Sequence, residues 1–147
     1  MNVPDDIART ATVHWEGDIA HGRGHIEAQS GKVSADYSFG TRFSGDPGTN
    51  PEELLAASHA ACFSMALSLA LTRAGHPPQA IDTTARVHLS KDGEGFTISR
   101  IELQTRVSAA GLDPAAFDEL AQGAKAGCPI SKALAAVPIA LDAQLNP

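Results

Sequence analysis

Positive charge is scarce in this chain: eleven Lys and Arg face seventeen Asp and Glu, a net −6 at pH 7, and no basic run occurs. That balance argues against nucleic acid or an anionic membrane surface as a partner. Cysteine is rarer still, with only Cys62 and Cys128 among 147 residues. The opening stretch MNVPDDIART lacks a basic region followed by an apolar core, so a cytoplasmic protein is expected. Ordinary thiols stay reduced there, which argues against a structural disulfide framework; if the two cysteines pair, they pair in a working cycle. Repeats and low-complexity tracts are also missing. A chain of this length is expected to form a single domain, 1–147, with one sizeable core.

What is present is organised around NPEELLAASHAACFSMALSLALTRAG, Asn50 to Gly75, which reads as one long helix. Asn50 suits the cap, Pro51 the first helical position, and Glu53 the third position of a capping box, while Glu52 and Glu53 suit the positive end of the helix dipole. Apolar residues then cover nearly the whole circumference, the pattern of a helix buried on most sides. Arg73, Gly75, Pro77 and Pro78 supply the stop. The stretch is long enough to raise a membrane span, but Ser58, His59, Ser64 and Ser68 interrupt it and no aromatic belt flanks it, so no membrane is expected.

Around this helix the chain reads as α+β. Alternation predicts a half-buried strand at Thr10 to Glu16, with further strands near Gly24 to Gln29 and Lys32 to Tyr37, together a three-stranded meander. Ser38 to Thr49, rich in glycine, reads as loop and carries Arg42. Strands follow at Ile81 to Ser90 and Phe96 to Ser108, joined at Lys91 to Gly95. A change of parity predicts a bulge between Ile98 and Ile101. Asp113-Pro114 opens a helix to Gly127, Pro129 to Ala136 a shorter one, and Ile139 to Leu145 a last strand. A helix of about 25 residues spans roughly 37 Å. One meander and one hairpin hardly cover an apolar cylinder that long, so a homodimer is expected.

From the residues alone, Cys62 reads either as a small hydrophobe or as a reactive thiol. Cys128, at a helix start where free N–H groups favour a thiolate, leans towards chemistry. His59 stands three residues before Cys62, and with Cys128 and one further histidine the pair would suffice for zinc. As a plainer reading, His59 bonds a neighbour. Glu52 and Glu53 read as helix-start acids, or one of them orients Arg42. Arg42 otherwise reads as a solvated loop charge. A non-catalytic small-ligand binding protein remains open as an alternative.

Two long motifs, TRFSGDPGTNPEELLAASHAACFSMALSLAL (Thr41 to Leu71) and AKAGCPISKAL (Ala124 to Leu134), with the opening HWEGDIAHGRG, resemble the OsmC branch of the OsmC/Ohr family of thiol peroxidases. The likeness runs from about Ala11 to Leu145. It implies the OsmC-like fold, a long central buried helix enclosed by antiparallel sheets in an intertwined homodimer. It further implies that Cys62 is the peroxidatic cysteine and Cys128 the resolving one, that Arg42 stabilises the thiolate, and that Glu52 holds Arg42. The TRF match favours the OsmC branch, because in the Ohr branch the arginine comes from elsewhere. The implied activity is reduction of alkyl or fatty-acid hydroperoxides through a Cys62–Cys128 disulfide. No metal or bound cofactor is required, and an external dithiol, dihydrolipoamide or a lipoylated protein, serves as reductant. By residue type, Phe39, Phe43, Phe63 and Met65 are the expected pocket lining.

Overall fold

Period-two patterning produces three strands near the N-terminus, β1 (Ala11–Glu16), β2 (Arg23–Ala28) and β3 (Ser34–Tyr37), paired antiparallel in the order β1-β2-β3 as expected. The computed structural model describes residues 2–146 and divides into two units, Met1–Pro51 and Glu52–Pro147, of which this sheet forms most of the first. The Trp15 and Tyr37 rings meet at 5.6 Å across β2. Gly24 lies beside them, where an added Cβ would strike both rings. The expected half-burial of β1 is not met within one chain. Val13 is 55% exposed, since so small a sheet covers little beyond Ile26 and the two rings.

The expected loop after β3 instead begins with a short helix, α1 (Phe39–Phe43). Local bonds make it. Ser38 Oγ accepts from the Thr41 N–H and Thr41 Oγ1 accepts from the Ser38 N–H, a reciprocal capping box. The Phe39 and Phe43 rings pack at 4.8 Å one turn apart. Five residues are too few to show a helical period in the sequence.

The second unit is built on α2 (Pro51–Arg73), 23 residues or about 35 Å. Its end is a Schellman motif. His76 N–H donates to Leu71 O, Gly75 N–H donates to Thr72 O, and Gly75 takes the left-handed conformation (φ 87°). By length and hydropathy alone, a mean of 1.7 over 18 residues, α2 would also cross a membrane. Two of its interrupting polar groups are engaged inside the protein, however: Ser64 Oγ donates to Thr83 Oγ1 at 2.8 Å, and His59 bonds Ser131.

β4 (Ala80–Asp92) and β5 (Gly95–Ser108) form the expected hairpin, and the bulge falls at Ser99, between the pairs His88 with Arg100 and Leu89 with Ile98. Beyond it Ile101, Leu103, Thr105 and Val107 are all buried on one face. α3 (Pro114–Gly127), capped by Asp113, and α4 (Pro129–Ala133) then cross over to β6 (Ile139–Asn146). β6 runs parallel to β5, which corrects the expectation of antiparallel sheets. The physical reason is the crossover. A chain leaving one end of β5 and returning through two helices re-enters the sheet at the starting end of its neighbour. α4 is shorter than expected because Leu134 to Val137 continues as turns before Pro138.

The core of this unit joins Phe63, Leu67 and Leu71 of α2 to Leu103 and Val107 of β5 and to Phe117, Ala121 and Ala124 of α3, with Cys128 at its edge. The four residues of α2 that are fully buried, His59, Phe63, Leu67 and Leu71, lie four apart on a single stripe. Within one chain, therefore, α2 is covered on one side. Met65 (76%) and Leu69 (47%) stay exposed on the other.

Candidate functional site

Cys62 sits in mid-α2, half-buried, and Cys128 is fully buried where α3 ends and α4 begins. The junction is held by the main chain: Cys128 N–H donates to Ala124 O at 2.9 Å and Cys128 O accepts from Lys132 N–H at 3.0 Å. Sixty-six residues apart in sequence, the two thiols are free, pack into the same core and lie near enough to shift each other's ionisation. That is what a reversible disulfide needs.

Their surroundings treat the sulfurs differently. Burial pushes the Cys62 thiol up, and the neighbouring Cys128 sulfur adds to this, while only the Ile130 N–H favours its anion. Burial works against ionisation at Cys128 as well. There it is outweighed by hydrogen bonds from the Cys62 thiol, the Ser131 N–H and hydroxyl and the Ile130 N–H, and the net shift is downward. Cys128 makes no side-chain cap bond of ordinary geometry, yet the first amides of α4 face its sulfur. Within this unit, the surroundings favour ionisation at Cys128 over Cys62.

Ser131 is the residue that sequence reading missed. Its hydroxyl meets His59 Nε2 at 2.8 Å, both groups buried, although 72 positions separate them. The motif GCPISKAL contains Ser131, but no local spacing points to a histidine on another helix. His59 thus takes the plainer role of bonding a neighbour. Among the described residues no group of three or more His, Cys, Asp or Glu stands close enough to hold a metal.

Glu52 lies half-buried in the first turn of α2. Arg42 belongs to the first unit, on α1 rather than in a loop, with its guanidinium carbon 5.2 Å from the Phe43 ring centroid. Phe39 and Phe43 lie on the same short helix and are partly exposed. Phe63 corrects the expected pocket. It has no exposed surface and packs among Leu67, Leu71 and Phe117, because it shares the stripe of α2 that faces the core. Met65 points elsewhere and is the most exposed large apolar side chain of α2.

Comparison with known proteins gives consistent matches. The OsmC family, described as OsmC-like protein, matches residues 43–142. The chain is 52% identical over 141 residues to Peroxiredoxin OsmC of Escherichia coli (strain K12), covering 95% of this chain and 98% of that protein. The crystal structure of the organic hydroperoxide resistance protein OhrB of Bacillus subtilis superposes with a TM-score of 0.67 at 31% identity, over 93% of this chain and 98% of that one. An organic hydroperoxide resistance protein from Elizabethkingia anophelis does so with a TM-score of 0.76 at 25% identity, over 97% and 100%.

Proposed function

The chain belongs to the OsmC family, and on that premise we propose that it is a peroxidase that reduces organic hydroperoxides at Cys62. The observation that carries the reading is the juxtaposition of the Cys62 and Cys128 thiols beside the first amides of α4. The Cys62 thiolate attacks the terminal peroxide oxygen, the O–O bond breaks, an alcohol leaves, and Cys62 becomes a sulfenic acid. Cys128 attacks that sulfur, water leaves, and the disulfide protects Cys62 from further oxidation. A dithiol such as dihydrolipoamide or a lipoylated protein restores both thiols by exchange.

Burial and Cys128 both hold Cys62 in its protonated form, so the second unit by itself does not activate the attacking sulfur. We assign the activation to Arg42 and Glu52, as the family resemblance implies. A guanidinium beside Cys62 draws the charge onto it and steadies the oxygen that leaves. Phe39, Phe43 and Met65 supply apolar contact for an alkyl group.

The working unit is a homodimer. Along α2 and α3, residues including Ala66, Leu69, Ala70, Leu112, Ala116 and Leu120 line a groove of about 660 Å³. With Met65 and Leu69 exposed beside it, a second copy of α2 is the occupant that covers this face. Sedimentation should give twice the 15.2 kDa chain mass, and a monomer at micromolar concentration would rule the assembly out.

Intact mass after one equivalent of cumene hydroperoxide tests the chemistry. The reduced wild type should lose two hydrogens, and Cys128→Ser should instead gain one oxygen. An unchanged wild-type mass would refute the peroxidase in favour of a binding protein.

A further inference from the structure

His59 has no exposed surface, and burial holds its imidazole neutral by pushing its pKa below the ordinary value. Its Nε2 lies 2.8 Å from Ser131 Oγ, whereas its buried Nδ1 has no hydrogen-bond partner among the described residues. Ser131 stands in the first turn of α4, three residues after the buried Cys128 at its cap, and its hydroxyl favours the Cys128 thiolate, as the neighbouring Cys62 thiol also does. A continuous polar line thus runs from α2 through α4 and back to α2, inside the apolar core of one unit. Such a line is costly to bury unless its members are paired.

The unpartnered Nδ1 indicates which way the line points. A neutral imidazole carries one proton. Placed on Nδ1, it would leave a buried N–H with no acceptor, and Nε2 would then accept a hydrogen bond from the Ser131 hydroxyl. Placed on Nε2, it donates to Ser131 Oγ, Nδ1 keeps only a lone pair, and the hydroxyl proton is left for the sulfur. Orphaned buried N–H groups are the rarer defect, so the second arrangement is preferred.

We propose that His59 is a positioning residue for the resolving step: its Nε2–H fixes the Ser131 hydroxyl, which donates to Cys128 Sγ and holds that sulfur ready to attack oxidised Cys62. The inference rests on the peroxidase reading for its place in the cycle. In that step an electron pair of the Cys128 thiolate forms the S–S bond. The S–O bond of the Cys62 sulfenic acid breaks, and the departing hydroxide takes up the proton that Cys128 gave up, leaving as water. No further oxidant is consumed, since the hydroperoxide has already supplied the oxygen. His59 touches neither substrate nor reacting atom and acts through Ser131. Within this unit the titratable groups acting on Cys128 are Cys62 directly and His59 through the hydroxyl.

Thiolate absorbance at 240 nm, followed against pH in the reduced Cys62→Ser protein, reads Cys128 directly and needs no turnover. Ser131→Ala should raise the Cys128 midpoint by about one pH unit, as should His59→Leu, whereas His59→Gln, whose amide nitrogen can reach Ser131, should leave it within about 0.3. Ser131→Ala removes only one small hydroxyl, so it decides the matter even if His59→Leu fails to fold. With both cysteines present, Ser131→Ala should slow conversion of the Cys62 sulfenic acid to disulfide about tenfold at pH 7, read as dimedone-trapped Cys62 by mass. A Cys128 midpoint unmoved in Ser131→Ala, or His59→Gln behaving as His59→Leu in a folded protein, overturns the proposal. A protein that consumes no hydroperoxide but shows these midpoint shifts sinks the proposed function and leaves the hydrogen-bond line standing.

Discussion

Cys62→Ser is expected to lose hydroperoxide consumption by at least about three orders of magnitude, down to the uncatalysed background. A serine hydroxyl in the same place does not ionise near neutral pH and is a far poorer nucleophile than a thiolate. The substitution removes one sulfur from a half-buried site and should leave the fold intact. The assay is consumption of cumene hydroperoxide with an excess of dithiol, alongside hydrogen peroxide. The wild type should turn over the alkyl substrate faster, as the proposed apolar lining of the site would favour. Cys128→Ser separates the roles of the two sulfurs. It should retain the first oxygen transfer and lose the internal disulfide, so a Cys62→Ser protein that still turns over would transfer the peroxidatic role elsewhere and end the present account.

The second large effect is on stability. Phe63→Ala should destabilise the protein by about 3–5 kcal/mol in denaturant unfolding. The ring has no exposed surface and joins α2 to the β5 and α3 side chains of the core, where alanine would leave a cavity walled by Leu67, Leu71 and Phe117. Neighbouring elements cannot collapse onto that space cheaply, because β5 is held by ladders on both sides. A loss below about 1 kcal/mol would mean that Phe63 faces a pocket after all. Full catalytic rate in the surviving folded fraction would fit a residue that supports the site without touching substrate.

Much of this architecture is legible in the residues because it is local. Asn50-Pro51, Gly75 and Asp113-Pro114 mark helix ends, and the parity change after Ile98 marks the bulge at Ser99. What depends on distant partners is not legible. The direction of β6 follows from where the α3–α4 crossover returns, and the alternation of Ile139 to Leu145 is the same for either direction. α1 was hidden by its length and by the glycines around it. The apolar sweep of α2 suggested burial on most sides, whereas one chain buries a single stripe, and from sequence alone Phe63 and Met65 look interchangeable. The pairing of the cysteines was implied by family resemblance, and their contact is a property of the fold. Ser131 and its histidine partner could not be found by spacing at all.

The joint between α3 and α4 carries a consequence for durability. Its two hydrogen bonds are made by the Cys128 amide and carbonyl, and the sulfur takes no part in either. Exchanging the sulfur's partner, from proton to neighbouring sulfur and back, therefore leaves the hinge of the scaffold intact. Under the proposed cycle these main-chain bonds would outlast each exchange at the sulfur, so the chain could be recharged repeatedly without being rebuilt.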